Sequence, residues 1–259
     1  MLTSPASTDS SKHVERGHDP NSAAAAASAL QWWADAGVDV IVGEQPHAWL
    51  KSNERPAPQA VVPVAPAAVA EALPGQLNLF QAWLRESDTL AFFSPSAPRI
   101  CPAGDPAAGL MILTDMPAAA DCASGTLLSG EAGRLFDRML AAIGRSRESI
   151  YLASLSCLRS PTGSFNGETQ SQCATLARHH VGLVAPKAIL LFGDTCAKAL
   201  LGLSVMQGRG RWHDLATHAG PVRALVTFHP ERLLEQAKFK AAAWADLQLL
   251  MQGLSDDQA

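Results

Sequence analysis

Residues 222–250 read VRALVTFHPERLLEQAKFKAAAWADLQLL. The apolar, β-branched run that ends at Phe228 predicts a buried strand. His229-Pro230 predicts where it stops, because Pro230 removes a backbone donor and fixes φ. Leu233, Leu234, Phe239, Ala243, Leu247 and Leu250 then recur at near-helical spacing, which describes one apolar face of a long closing helix lying back on a sheet. His229 is thereby placed at the carboxyl end of a strand. Open α/β sheets gather their ligands at that edge, so His229 is a functional candidate, although a lone histidine also suits a structural role.

Upstream, short apolar runs alternate with amphipathic stretches. Strands are expected at 110–113, 149–155, 188–192 and 224–228, and helices at 77–87, 131–143, 170–184 and 195–201, ahead of the closing helix. This alternation predicts a three-layer αβα domain with a mostly parallel four-stranded central sheet and right-handed crossovers. The domain is expected to span residues 77–253. Residues 54–76 are Pro/Ala-rich and read as a semi-rigid linker. Residues 21–53 open with the strong helix former NSAAAAASALQWWADA, which carries Trp32 and Trp33, and residues 1–20 read as a polar, disordered tail.

Composition narrows the function classes. With 259 residues and 47% hydrophobic content the chain has ample material for a packed core. A net charge of -4 gives no global basic field, so any nucleic-acid surface must be local. Five cysteines without a CxxC pair supply no disulfide framework and suggest a reducing compartment, with the cytoplasm as the default. No apolar signal region or membrane span is visible. Gly208-Arg209-Gly210 lacks the strand-then-helix context of a dinucleotide loop, and the adjacent His179-His180 pair faces two directions, which makes a poor metal site.

Several separated pieces resemble the uracil-DNA glycosylase superfamily, especially its iron-sulfur branch, family 4. His229-Pro230-Glu231-Arg232-Leu233-Leu234, followed by Trp244-Ala245-Asp246-Leu247, resembles the HP(S/A)xLL signature and its trailing W-x-DL. Gly125-Thr126-Leu127-Leu128-Ser129-Gly130-Glu131-Ala132-Gly133 through Asp137-Arg138-Met139-Leu140 resembles GxPFVGxAGxLLDxML. Tyr151-Leu152-Ala153-Ser154 is similar to the YIxN strand, and Ala185-Pro186-Lys187 with Phe192-Gly193 to APKxIxxxG. The pieces keep the family's order across residues 77–252. The stretch from Trp32 to Asp39 is similar to a helix that some bacterial members carry before a linker.

The resemblance implies a monomeric enzyme that flips a nucleotide out of DNA, single- or double-stranded, and cuts its base from the sugar. Negative charge builds on the departing base and positive charge on the sugar, so such a site needs a hydrogen-bond donor and a carboxylate. His229 would be the donor to the base carbonyl. Asp115, in Thr114-Asp115-Met116-Pro117-Ala118, would occupy the Glu of the family's GEAPG loop, and Asp121 the acidic position assigned to water activation. Leu128, Ser154 and Pro117 would line the base pocket, and Arg232, Arg209 and Arg211 would meet DNA. Two pocket positions depart from the pattern. Ser154 replaces the base-reading Asn and cannot supply an amide's paired donor and acceptor. Leu128 replaces a stacking Phe, a contact worth about 1–3 kcal/mol. The four cluster thiolates are also incomplete, with Cys173 in place, Cys157 one residue off and only Cys101 near the early pair, so no iron-sulfur cluster and no other cofactor are expected. Two rival expectations are a family member that keeps the fold but not the chemistry, and an unrelated small-molecule α/β enzyme.

Overall fold

The computed structural model describes residues 73–256 and, ahead of them, Ser28 alone. The expected tail at 1–20, the helix carrying Trp32 and Trp33, and the linker up to residue 72 lie outside the described residues. The six strands β1 (Ala103–Gly104), β2 (Leu110–Thr114), β3 (Tyr151–Ser154), β4 (Ala188–Phe192), β5 (Trp212–Thr217) and β6 (Gly220–Thr227) form one sheet in the order β1-β3-β2-β4-β6-β5. The four expected strands are its parallel centre, β3-β2-β4-β6. Every residue of β2, β3 and β4 is buried, as strands covered on both faces require.

The sheet exceeds the expected four strands by one antiparallel strand at each edge. β1 is only two residues long. In β5, WHDLAT, only Leu215 is buried, and the strand pairs with β6 through a hairpin that turns at His218-Ala219. A polar edge strand of this kind carries too few apolar residues to declare itself in the sequence.

Eight helices complete the described residues: α1 (Leu77–Glu86), α2 (Ala119–Ser124), α3 (Gly130–Ala142), α4 (Gly167–Val184), α5 (Gly193–Leu201), α6 (Val205–Gly208), α7 (Pro230–Glu235) and α8 (Lys240–Asp256). On one face Tyr151 of β3 reaches Gln81 of α1 (2.8 Å) and His180 of α4 (2.9 Å) through its hydroxyl. On the other, Phe136 of α3 meets Phe192 edge-on, and the Thr227 hydroxyl donates to Asp246 of α8 at 2.9 Å. The closing helix is not continuous. It breaks at Gln236 (φ -133°) and passes through a 3-10 turn, Ala237–Phe239, which lays Phe239 flat on Phe228 with ring centres 4.5 Å apart. Leu234, expected in the buried face, is 42% exposed as a result.

From β2 the chain crosses to β3 on one side, then returns to β4 on the other. The carboxyl end of β2 is therefore a topological switch point, where diverging connections leave a crevice.

Candidate active site

A cleft of about 510 Å³ opens at that point. Thr114 and Asp115 at the end of β2, the segment from Ala118 to Ala132, and His229, Glu231 and Leu234 after β6 supply most of its lining. Three stretches far apart in sequence thus meet because parallel strands deliver their carboxyl ends to one edge.

His229 caps α7, and its Nδ1 accepts the Glu231 N–H at 3.3 Å. A ring nitrogen that accepts carries no proton, so this assigns the proton of the neutral ring to Nε2. Nε2 lies 2.9 Å from Thr114 Oγ1, and the Phe192 ring packs edge-on against the imidazole. Asp115 is half-buried, and its Oδ1 accepts the Met116 N–H at 2.8 Å. Oδ2 has no hydrogen-bond partner among the described residues. Asp115 also borders two neighbouring hollows of about 390 and 280 Å³, so its carboxyl group stands where three openings meet.

Asp121 has a different situation. It is 3% exposed, and its carboxylate accepts from Ser129 N (2.7 Å), Ser129 Oγ (2.7 Å) and Ala118 N (3.1 Å). It braces the two ends of the cleft wall and has both oxygens engaged. Leu128 lines the cleft in a left-handed conformation, φ 52°. Arg147 holds that conformation by donating to the Leu127 carbonyl (2.8 Å) and the Leu128 carbonyl (2.6 Å). A Cβ on Gly133 would run into the Leu128 carbonyl oxygen, which is why the wall needs glycine there.

Ser154 pairs in register with Thr114 yet is absent from the cleft lining. Its hydroxyl donates to the Ser156 carbonyl at 2.8 Å, and the residue borders a small void beside Phe80, Cys157 and Cys173. Pro117 is buried outside the lining, with its carbonyl accepting from Arg159 at 2.9 Å. The three arginines also separate. Arg232 is half-exposed and pairs with Glu235 at 3.2 Å. Arg211 is exposed and donates to the Gln207 carbonyl. Arg209, expected to meet DNA, is committed instead to the interior, donating to both oxygens of the fully buried Asp246 (3.0 and 3.2 Å) and to the Ala242 carbonyl.

Thr114, Glu231, Arg159 and Leu234 also line the cleft, although none of them is assigned a role in the site from the sequence. Thr114 was within reach of the same rule that found His229, since it is the last residue of a strand whose carboxyl end lies at the edge. The lining is predominantly acidic, with Asp115, Asp121, Glu131, Glu231 and Glu235 against Arg159.

The donor set for an iron-sulfur cluster does not fit. Cys157 and Cys173 border a void of about 20 Å³ walled by Phe80, Leu84, Leu90 and Leu176, room for about one water and none for a cubane. Burial pushes the Cys157 thiol up to about 12 and the Cys173 thiol up to about 11, opposite to what a metal-bound thiolate needs. Phe80, Leu84, Leu90, Cys157 and Leu158 form a small apolar core of their own. No group of three or more His, Cys, Asp or Glu side chains converges as a metal site among the described residues.

Comparison with known proteins adds an independent line. The family model for the uracil DNA glycosylase superfamily matches residues 101–248. A type-4 uracil-DNA glycosylase of Pyrobaculum aerophilum is 24% identical over 157 residues, covering 58% of this chain and 80% of its own. Another from Archaeoglobus fulgidus is 21% identical over 144 residues, covering 53% of this chain and 72% of its own.

Proposed function

The chain belongs to the uracil-DNA glycosylase superfamily, and from that premise we propose that it excises an altered base, uracil or a deaminated purine, from DNA in base-excision repair. The observation that carries the reading is the meeting of His229 and Asp115 at the switch-point cleft. His229, with its Nε2–H at the cleft, is a hydrogen-bond donor of the kind that stabilises charge growing on a departing base carbonyl. Asp115 has one carboxylate oxygen open to hold a water and to offset charge on the sugar. Asp121 serves this site as the brace of the wall that carries Leu128. Exposed Leu234 on the rim is an apolar side chain placed to enter a base stack, and Arg232 and Arg211 are the exposed arginines for phosphates. The reaction as proposed is hydrolytic, uses no cofactor, and is carried out by a cytoplasmic monomer.

A second reading, a non-catalytic member that keeps the fold, draws on one specific observation. The acidic lining opposes a polyanion, and Arg159 is tied to Pro117. Labelled single- and double-stranded oligonucleotides bearing uracil, hypoxanthine or xanthine, followed by alkaline cleavage, separate the two. Excision that falls about 100-fold or more in His229→Ala, with unchanged folding, supports the enzyme. An equally active variant overturns the assignment of His229, and DNA binding without product selects the second reading.

A further inference from the structure

We propose that Thr114 restrains the site by holding the very proton that His229 offers, so that an incoming base must displace the Thr114 hydroxyl before it receives a hydrogen bond. The proposal rests on the reading of His229 as donor. Each of the two imidazole nitrogens has one hydrogen-bond partner, and the Glu231 carboxylate stands 3.9 Å from Nδ1, beyond hydrogen-bond reach. Nδ1 is an acceptor for the Glu231 N–H, which leaves Nε2 as the donor. Nε2–H has Thr114 Oγ1 at 2.9 Å, on a threonine only 1% exposed and anchored at the end of a fully buried strand. The acceptor is therefore fixed in place, and its rotation cannot release the histidine.

The ring is equally constrained. Phe192 packs edge-on against it, and the Pro230 that follows begins α7. A donor and acceptor that are both immobile form a bond with little entropy to lose, which makes it a genuine competitor for the base carbonyl. Thr114 also lines the cleft, so the competition takes place where a base would sit. Bases that leave as anions, and so depend most on the donor, are the ones this contact disfavours. Thr114 is thus a specificity-determining residue acting through His229.

Thr114→Val keeps the branched shape and removes the hydroxyl, whereas Thr114→Ser keeps the hydroxyl. Uracil excision is expected to rise about two- to tenfold in Thr114→Val, the worth of one neutral hydrogen bond, and to rise less in Thr114→Ser, which keeps the hydroxyl. A fall in Thr114→Val that Thr114→Ser rescues would overturn the proposal, since the hydroxyl would then assist excision. Nitrogen-15 NMR of the His229 ring gives a readout independent of turnover. The expected spectrum shows the Nε2–H tautomer with a slowly exchanging proton, which exchanges faster in Thr114→Val while the tautomer persists. An Nδ1–H tautomer, or no change in exchange, overturns the proposal even if no base is excised. Absence of excision in every variant, with the expected spectra, would instead count against the glycosylase reading alone.

Discussion

Replacing Arg209 with Met separates a structural cation from a DNA-binding one. Its guanidinium donates to Asp246 at 3.0 and 3.2 Å and to the Ala242 carbonyl at 2.6 Å, and it lies 5.7 Å from the centre of the Phe228 ring. Asp246 is fully buried, and without Arg209 the Thr227 hydroxyl at 2.9 Å and the Gly210 backbone N–H remain to offset its charge. Removing one partner of a buried pair leaves an uncompensated charge and costs about 3–5 kcal/mol. Arg209→Met should lose that much in urea denaturation at neutral pH. Arg209→Met combined with Asp246→Leu should recover most of it, with a residual loss of about 1 kcal/mol for the orphaned Thr227 hydroxyl. The salt dependence of DNA binding should be unchanged in the double variant. A stability loss below about 0.5 kcal/mol, with the salt slope reduced by about one, is the signature of an exposed phosphate contact and would refute the clamp.

Two other predictions follow from buried groups. Burial, reinforced by neighbouring His179, lowers the His180 pKa from the ordinary 6.5 to about 4. The unfolded chain therefore binds more protons between those values. The stabilisation is complete above pH 6.5 and disappears as pH falls towards 4, about 3 kcal/mol in all. His180→Gln should flatten the fall in stability between pH 7.5 and 5 by about 2 kcal/mol, and an unaltered slope would contradict the assignment. Protein purified anaerobically should carry no stoichiometric iron and no absorbance band at about 400 nm; either signal would show that Cys157 and Cys173 leave their apolar surroundings to bind metal.

The four central strands were legible because parallel strands covered on both faces must be continuous apolar runs, as in LMILT and AILLF. β1 and β5 were not, the one for brevity and the other because an edge strand is polar on its open side. The break at Gln236 is not legible in the sequence because Phe239 satisfies helical spacing while answering to a tertiary partner, Phe228. Within the site, His229 declared itself through the strand that precedes it. Thr114 did not, since a threonine closing an apolar strand looks like an ordinary strand former until its hydroxyl is seen against a ring 115 residues away. Arg209 misled for a related reason. Flanked by glycines it has the look of a solvated loop cation, and nothing local points to a carboxylate 37 residues further on.

The wall formed by residues 125–133 is held at three places, by Asp121 on Ser129, by Arg147 on two successive carbonyls, and by direct backbone contact over Gly133. A lip fastened so closely behaves as a gauge and not as a jaw. It admits or refuses an entering group by its thickness, before any hydrogen bond is exchanged. On the proposed reading the mechanical work of presentation would fall on the ligand, and strands that open readily, such as mismatched or unpaired stretches, would reach the floor of the cleft first.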